Sequence, residues 1–282
     1  MVKHTPTPVD YLVIGHVTKD LTPEGPVLGG TAAYVGRTAL AFGLRVGVLT
    51  SCAGDIDLQP LEGLCVVTLP TERSTTFENK YTVEGRTQYL HAVATTLAPQ
   101  DAPMIWHDTP IVHLAPIAAE VEPSLSKHFG DALLCMTPQG WLRRWDESGK
   151  IHLNPWHDLL PILPDASAVV ISLEDLGGDV EASRAMAAHC TILAVTEGAK
   201  GARVFWRGEE RHFSTPLVAE VDPTGAGDVF AAAFFIKLYQ ATSPWEAARI
   251  ANTLAAYSVT RKGYASTPTP QEVQITQEQV LQ

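Results

Sequence analysis

Residues 221–233 read VDPTGAGDVFAAA, and this stretch decides the fold. Gly225, Ala226 and Gly227 have almost no side chains, and they come directly before an apolar, alanine-rich run that predicts a helix. A glycine-rich turn that opens a helix presents free backbone N–H groups and the positive end of the helix dipole. The segment therefore predicts a cradle for an anion such as a phosphoryl group in transfer.

Asp228 follows the turn at once and is expected in the first turn of the helix. A carboxylate there can take the proton from a substrate hydroxyl as that hydroxyl attacks phosphorus. We expect the helix dipole to keep Asp228 ionised, which makes it a weak base and suits a loose transition state. The residues alone leave an alternative open, a plain helix N-terminus capped by Thr224 with Asp228 complementing the dipole.

Outward from this stretch, short apolar runs alternate with helical periodicities along most of the chain. Strands alternating with helices predict an open, mostly parallel sheet with helices on both faces. A strand pair is also expected around Gly208, and the polar tail 266–282 is expected to pack loosely. The expected strands are 11–15, 45–50, 111–114, 132–136, 168–172 and 191–195, and the expected helices 29–42, 123–128 in part, 179–189, 226–240 and 244–262.

Residues 75–92 have a different pattern. Two polar, alternating runs flank Glu84-Gly85, which is typical of a β-hairpin. The hairpin contains no long apolar run, so we place it outside the main sheet and interpret it as a flap or lid. A second excursion with Pro and Gly, residues 22–30, follows the first strand.

Composition excludes several classes of protein. The 282 residues are 45% hydrophobic with a net charge of −11, which favours a packed globular core and argues against nucleic-acid binding. No apolar run approaches the roughly 20 residues that span a bilayer. The four cysteines form no CxxC pair and the start lacks a signal-peptide pattern, so we expect a cytoplasmic protein with no membrane partner. A Walker A motif and a GxGxxG after the first strand are both missing, which disfavours P-loop and dinucleotide enzymes.

The segment DPTGAGDVF resembles the C-terminal signature of the PfkB, or ribokinase-like, sugar kinase family. Further segments follow in that family's order from about residue 11 to residue 262. The resemblance implies a three-layer α/β/α ribokinase-like fold with a mostly parallel sheet and a small β-hairpin lid. It implies one kinase domain over residues 1–282, with lid segments inserted at about 21–29 and 74–92.

The resemblance also assigns roles around the transferred group. It implies that Gly225, Ala226 and Gly227 form the anion hole and that Asp228 is the catalytic base. The implied acceptor-binding residues lie after the first strand, at the start of the first helix and on the lid. They are Asp20, Gly29, Gly30, Tyr34, Phe77, Asn79 and Arg86. Tyr34 stands where the family usually has Asn, which hints at an acceptor other than ribose.

The donor side is implied by weaker matches. The segment TEGAKG resembles the family's nucleotide loop, so Thr196, Gly198 and Gly201 would lie along ATP, and Asn252 resembles a nucleotide-side Asn. The family's NxxE motif is degenerate here, and either Glu174 or Asp175 could organise Mg²⁺ through water. Asp222 matches a position near a monovalent-cation loop, with K⁺ the expected ion. The segment 138–143 (PQGWLR) resembles a PQGxxR element of some members, and its role stays open.

Together these features predict an ATP-dependent kinase that phosphorylates a hydroxyl of a small sugar or polyol, most similar to the inositol-kinase branch. The alternatives are a nucleoside kinase of the same family, a catalytically silent nucleotide- or sugar-binding relative, and a different phosphate-binding enzyme with a Rossmann-like fold. The expected partners are a small molecule and, as oligomer, either none or a lid-mediated homodimer.

Overall fold

The structure is a computed structural model that describes residues 5–82 and 85–280, with backbone only for residues 81, 82, 85 and 86. In chain order the strands are β1 (Tyr11–Ile14), β2 (Thr18–Thr22), β3 (Gly25–Gly29), β4 (Val46–Ser51), β5 (Cys65–Leu69), β6 (Thr76–Thr82), β7 (Gly85–Ala92), β8 (Ile111–Leu114), β9 (Leu133–Met136), β10 (Arg143–Trp145), β11 (Ile151–Leu153), β12 (Ala168–Ser172), β13 (Ile192–Thr196), β14 (Ala202–Trp206) and β15 (Glu209–Phe213). The helices are α1 (Thr31–Ala41), α2 (Val180–Ala187), α3 (Ala226–Tyr239), α4 (Pro244–Ser258) and α5 (Pro270–Val280).

Nine strands form one large sheet in the order β15-β14-β13-β12-β9-β8-β1-β4-β5. The seven strands from β13 to β5 run parallel, and β14 and β15 pair antiparallel at one edge. All four residues of β1 are buried, as a strand covered on both faces requires. Because the strands are parallel, their carboxyl ends share one edge of the sheet, and the loops that follow them meet there.

The two faces of the sheet bury separate apolar clusters. Val13 of β1 belongs to a cluster with α1, α3 and α4, whereas Leu12 belongs to a cluster with α2 and several short 3₁₀ turns. The alternation of side chains along β1 produces this division. Helix α3 is apolar all round and buried from Val229 to Lys237, because it lies between the sheet and α4. The predicted three-layer α/β/α fold is confirmed.

Two expectations about helices need correction. The helix expected in 123–128 is only a 3₁₀ helix, Pro123–Lys127, because Pro123 opens a segment too short for α-helical turns. The tail does not pack loosely, since α5 buries Val273 and Thr276. Thr269 and Glu272 form a capping box, in which the Glu272 carboxylate accepts from the Thr269 N–H (2.8 Å) and the Thr269 hydroxyl accepts from the Glu272 N–H (3.2 Å).

A second, four-stranded sheet has the order β3-β2-β6-β7, and we call it the small sheet. Strands β2 and β6 pair in parallel with Asp20 beside Phe77, and β6 and β7 form the predicted hairpin, whose turn residue Glu84 lies outside the described residues. Side chains two residues apart on a strand share a face, so Asp20, Phe77 and Asn79 lie on the same face of the small sheet. The N–H of Leu90 donates to the carbonyl of Gly149 (2.8 Å), which joins this sheet to the β10–β11 ribbon.

Within residues 5–82 and 85–280, no helix is long and apolar enough to cross a bilayer.

Candidate active site

The glycine-rich turn lies immediately before α3. Gly225 is the residue before the helix and has left-handed backbone angles (φ 80°, ψ −2°). A Cβ on Gly225 would lie 2.3 Å from Cδ1 of Tyr34, so both the conformation and the close approach require glycine. Gly227 faces open space, whereas the Ala226 N–H already donates to the Pro223 carbonyl at 3.2 Å. The first-turn amides of Gly227 and Asp228 are therefore the better anion donors of this turn.

Asp228 lies in the first turn of α3 and retains some exposure as a residue. Surrounding protein nevertheless desolvates the carboxyl group, and this burial raises its pKa to about 7, against a hydrogen bond with Thr31 and the charge of Arg143. The expectation that the helix dipole keeps Asp228 a weak base is wrong, because desolvation outweighs the dipole. A carboxylate with a pKa near 7 is well matched to general base catalysis at neutral pH.

Three side chains link Asp228 to the segment 138–143. The Thr31 side chain bonds to Asp228 and accepts from Nε2 of Gln139 at 2.8 Å. The Oε1 of Gln139 in turn accepts from Nη2 of Arg143 at 2.9 Å. The segment whose role the sequence left open thus brings an amide and a guanidinium near the Asp228 carboxylate.

Asp20 lies on the other side of Arg143. Burial raises the pKa of Asp20, while the Thr18 hydroxyl, which donates to Oδ1 at 2.7 Å, and the Arg143 charge act in the opposite direction. A Cβ on Gly29 would lie 2.2 Å from the Asp20 carboxylate, so the glycine allows the carboxylate to cross the backbone of β3. Gly30 connects β3 to α1 beside the carbonyl of His16.

Tyr34 is 4% exposed and stacks on Tyr264, with ring centroids 4.7 Å apart. Burial raises the pKa of both phenols, and the neighbouring carboxylates of Asp20 and Asp228 contribute. The Tyr264 hydroxyl is buried and has no hydrogen-bond partner in the described part of the chain. The aromatic pair therefore lies near both carboxylates.

The small sheet contributes Phe77 and Asn79. Phe77 is 2% exposed, and the Arg143 guanidinium lies 5.8 Å from its ring centroid. The Oδ1 of Asn79 is buried without a hydrogen-bond partner among the described residues, so it is an available acceptor on the same face. The predicted contact of Arg86 concerns a side chain outside the described residues.

The predicted donor-side residues lie together at the antiparallel edge of the large sheet. Thr196 ends β13, and Gly198 and Gly201 flank the turn into β14. The Asn252 side chain is buried, and its Nδ2 donates to the Phe213 carbonyl at 2.7 Å. Asn252 therefore holds the end of β15 against this turn, in addition to any role toward a nucleotide.

The three predicted metal-side carboxylates differ in their surroundings. Asp175 accepts from the Ser172 hydroxyl at 2.8 Å and contributes to the raised pKa of Asp228, whereas Glu174 is exposed. Burial alone would raise the pKa of Asp222, but hydrogen bonds from the N–H groups of Thr224 and Gly263 and the charge of Lys262 lower it. Each Asp222 oxygen thus accepts from a backbone N–H, and the predicted role of Asp222 near a monovalent cation stays a prediction. Residues 5–82 and 85–280 contain no cluster of three or more His, Cys, Asp or Glu arranged to hold a metal.

The structure therefore brings together Asp228, the Gly225–Gly227 turn, Asp20, Tyr34 and Phe77, and it adds Gln139, Arg143 and Tyr264. Thr31, Gln139 and Tyr264 were not predicted as site residues, because single polar or aromatic residues carry no local pattern. The PQGWLR segment was the only signal for Gln139 and Arg143.

The family model described as pfkB family carbohydrate kinase matches residues 166–272. The maize protein named inositol 3-kinase is 33% identical over 156 residues, which are 52% of this chain and 39% of that protein. The protein of Escherichia coli named fructokinase is 29% identical over 295 residues, covering 89% of this chain and 93% of that protein. The family model and these relatives support the pfkB carbohydrate kinase family for this chain.

Solved structures show the same fold. The sulfate complex of a pyrophosphate-dependent kinase in the ribokinase family superimposes with a TM-score of 0.79 at 21% identity, covering 94% of this chain and 99% of that one. Arabidopsis thaliana ribokinase complexed with ribose and ATP superimposes with a TM-score of 0.75 at 18% identity, covering 96% and 99%. Since the PfkB match includes the turn before α3, the fold and the family signature point to the same edge of the large sheet.

Proposed function

We propose that this PfkB-family kinase transfers the γ-phosphoryl group of ATP to a hydroxyl of a small polyol or sugar, with a cyclic polyol such as myo-inositol as the leading candidate. The observation that carries the proposal is the position of Asp228. Its carboxyl group follows the glycine-rich turn directly and shares the Arg143 guanidinium with Asp20.

The acceptor would lie between Asp20 and Asp228. Asp20 supplies oxygens that accept hydrogen bonds from hydroxyl groups, and Arg143 and Gln139 supply N–H donors toward hydroxyl oxygens. The Asn79 Oδ1 and the Tyr264 hydroxyl are buried without protein partners in the described residues, so an acceptor hydroxyl would satisfy them. The relatives named inositol 3-kinase support a polyol acceptor, and the relatives named fructokinase support a sugar.

Asp228 would take the proton of the attacking hydroxyl. Its raised pKa of about 7 makes the proton transfer favourable near neutral pH, and Arg143 limits the rise so that a substantial fraction stays ionised. The amides of Gly227 and Asp228 would hold the transferring phosphoryl group at the N-terminus of α3. The proton acceptor and the anion donors thus lie within one helical turn.

The donor would approach from the turn of residues 196–201 and the N-terminus of α3. Carboxylate oxygens are suitable partners for Mg²⁺, and Asp175 is better placed than Glu174 because it interacts with Asp228. Mg²⁺ carried by the donor would neutralise phosphate charge. The small sheet would act as the lid, since Asp20, Phe77 and Asn79 on one of its faces would cover the acceptor and exclude water.

A substrate screen tests the proposal. Purified protein is incubated with Mg²⁺ and either ATP or pyrophosphate, together with myo-inositol, ribose, fructose, fructose phosphates or nucleosides, and the phosphorylated product is identified by NMR. We expect turnover with ATP and a polyol or sugar. Turnover only with nucleosides would overturn the proposed acceptor class, and turnover only with pyrophosphate would overturn the proposed donor. Acceptor binding without any turnover would overturn the proposed reaction.

A further inference from the structure

Glu120 is a buried carboxylate on the loop that follows β8. Its side chain is 1% exposed and accepts hydrogen bonds from three backbone N–H groups. One Oε1 contact is from His16 (2.9 Å), and the others are from Ile117 (2.9 Å to Oε2) and Ala118 (2.6 Å to Oε2). These donors come from two separate segments, the one after β1 and the one after β8.

The backbone around Glu120 is held in an unusual shape. Ala119, between two residues of this network, has a left-handed φ of 56° although it carries a Cβ. Such a conformation is unfavourable for a residue with a Cβ and persists only where surrounding contacts determine it. The Glu120 carboxylate supplies those contacts, because it binds the two amides that precede Ala119.

The 116–121 loop shaped in this way holds the segment that carries Arg143. The Gly140 N–H donates to the Pro116 carbonyl (3.0 Å), and the Trp141 Nε1 donates to the Val121 carbonyl (2.8 Å). Nη1 of Arg143 donates to the Ile117 carbonyl at 3.1 Å. The residue whose amide binds Glu120 therefore also fixes the guanidinium that lies near Asp20 and Asp228.

The other partner of Glu120 leads to the small sheet. The buried His16 ring bonds through Nε2 to the Thr95 carbonyl (2.9 Å), so Nδ1 accepts from the Thr75 hydroxyl (2.6 Å). Thr75 directly precedes β6, and Thr95 follows β7. The Glu120 carboxylate thus fixes, through the His16 backbone, the point where both ends of the β6–β7 hairpin join the main body.

We propose that Glu120 is a positioning residue that sets the place of the Arg143 guanidinium and ties it to the base of the small sheet, and so controls acceptor binding. This inference rests on the proposed function for its effect on the reaction. Its structural part concerns the 116–121 loop and the 138–143 segment and can be measured without turnover.

The first experiment compares Glu120→Gln with Glu122→Gln. Glu122 lies two residues away and is exposed, so its variant is the matched control. We expect Glu120→Gln to raise the acceptor KM about tenfold with the donor KM nearly unchanged, because an amide cannot accept from all three N–H groups. Glu120→Asp should give an intermediate acceptor KM, and it serves as the test protein if the Gln variant does not fold. An unchanged acceptor KM would overturn the proposal.

A double-mutant cycle with Arg143→Lys tests whether Glu120 acts through Arg143. If it does, Glu120→Gln adds little to the acceptor KM of Arg143→Lys, whereas independent effects would multiply. Multiplied effects would refute the link to Arg143 even if Glu120→Gln is itself impaired.

Hydrogen exchange separates this inference from the proposed function. We expect faster amide exchange in residues 115–121 and 138–143 of Glu120→Gln, with helix α4 unchanged. If the wild type phosphorylates no acceptor in the screen, the proposed function fails, yet this exchange pattern would still support the positioning role. Exchange like that of the wild type in both segments would refute the role whatever the activity.

Discussion

The proposed phosphate-binding turn and the proposed acceptor side meet at Asp228 but are assembled in opposite ways. The turn and its carboxylate lie within four consecutive residues, Gly225 to Asp228, at the start of one helix. The acceptor side draws on β2, on α1, on the small sheet and on the segment 138–143. Backbone amides and a helix terminus need only a local sequence, whereas recognition of several hydroxyls needs side chains that converge from different segments.

The two proposed sides differ in how freely they can change. The proposed phosphate side would act mainly through backbone groups, so few substitutions are compatible with it. The proposed acceptor side would act through side chains on separate supports, so it could change without loss of phosphoryl transfer.

Replacing the proposed base should stop the chemistry and leave binding intact. We expect Asp228→Asn to lower kcat by about 10³-fold, since the amide cannot take a proton. Binding of ATP, followed by calorimetry, should change little. Asp108→Asn, an exposed residue before β8, is the control. A near-normal kcat for Asp228→Asn would show that another group is the base.

Adding one methyl group to the turn should damage the proposed phosphate side and also displace the Tyr34 ring. Gly225→Ala places a Cβ within 2.3 Å of the Tyr34 ring at a φ of 80°, and strain of about 1–3 kcal/mol is expected from the backbone alone. We expect a lower kcat and a lower Tm. Gly227→Ala is the matched control for stability, because its Cβ would meet no atom within 4 Å. Equal Tm values for the two variants would contradict this account of the turn.

The pH dependence of kcat/KM should report the ionisation of Asp228, the residue where the two sides meet. Because Asp228 must be deprotonated to act as a base and its pKa is raised to about 7, kcat/KM should fall about tenfold per pH unit below that value. Initial rates between pH 5 and 9 measure this limb. A limb centred near pH 4 would mean that the carboxyl group is not desolvated in the active enzyme.

Replacing Arg143 by lysine should weaken acceptor binding and leave donor binding nearly unchanged. We expect Arg143→Lys to raise the acceptor KM about tenfold with a small change in the donor KM, because an ammonium cannot make the forked contacts to Gln139 and Ile117. The adjacent, exposed Arg144→Lys is the matched control. If the donor KM rises instead, Arg143 belongs to the phosphate side and the contrast between the two sides breaks down.

The free energy of unfolding should also depend on the ionisation of Asp228. Its pKa is higher in the folded protein than its unfolded value, so the folded state binds the extra proton and stability falls as pH rises from about 4 to about 7. Each pH unit contributes at most about 1.4 kcal/mol, and less here because the residue keeps some exposure. Urea unfolding should therefore show Asp228→Asn gaining stability relative to the wild type between pH 5 and pH 8. A constant difference would contradict the raised pKa.

The smallest effect is expected for the two carboxylates predicted to organise Mg²⁺, Asp175 and Glu174. Asp175→Asn should move the acid limb of the kcat/KM profile to lower pH by a fraction of a unit, because Asp175 helps to raise the pKa of Asp228. Glu174→Gln should leave the limb in place. Equal shifts for both variants would remove the reason for preferring Asp175.

The parts of the fold that could be predicted are those with a local signal. The apolar runs located β1, β8, β12 and β13 to within a residue or two, and the polar alternation of 75–92 located the hairpin outside the large sheet. Helix α5 was not predicted because its composition is polar and its capping box, Thr269 and Glu272, is a short signal. Its buried Val273 and Thr276 became visible only in contact with the rest of the molecule.

The sequence by itself determined the alternating α/β architecture, the glycine-rich turn and the carboxylate beside it, because periodicity and a helix terminus depend on neighbours in the chain. Only the tertiary structure decided the pKa of Asp228, which rises because protein packed around the carboxyl group removes water, against the dipole expected from local sequence. It also decided that Gln139, Arg143 and Tyr264 face that carboxylate with Asp20 and Phe77. Residues more than a hundred positions apart interact only after the parallel strands bring their carboxyl ends to one edge of the sheet.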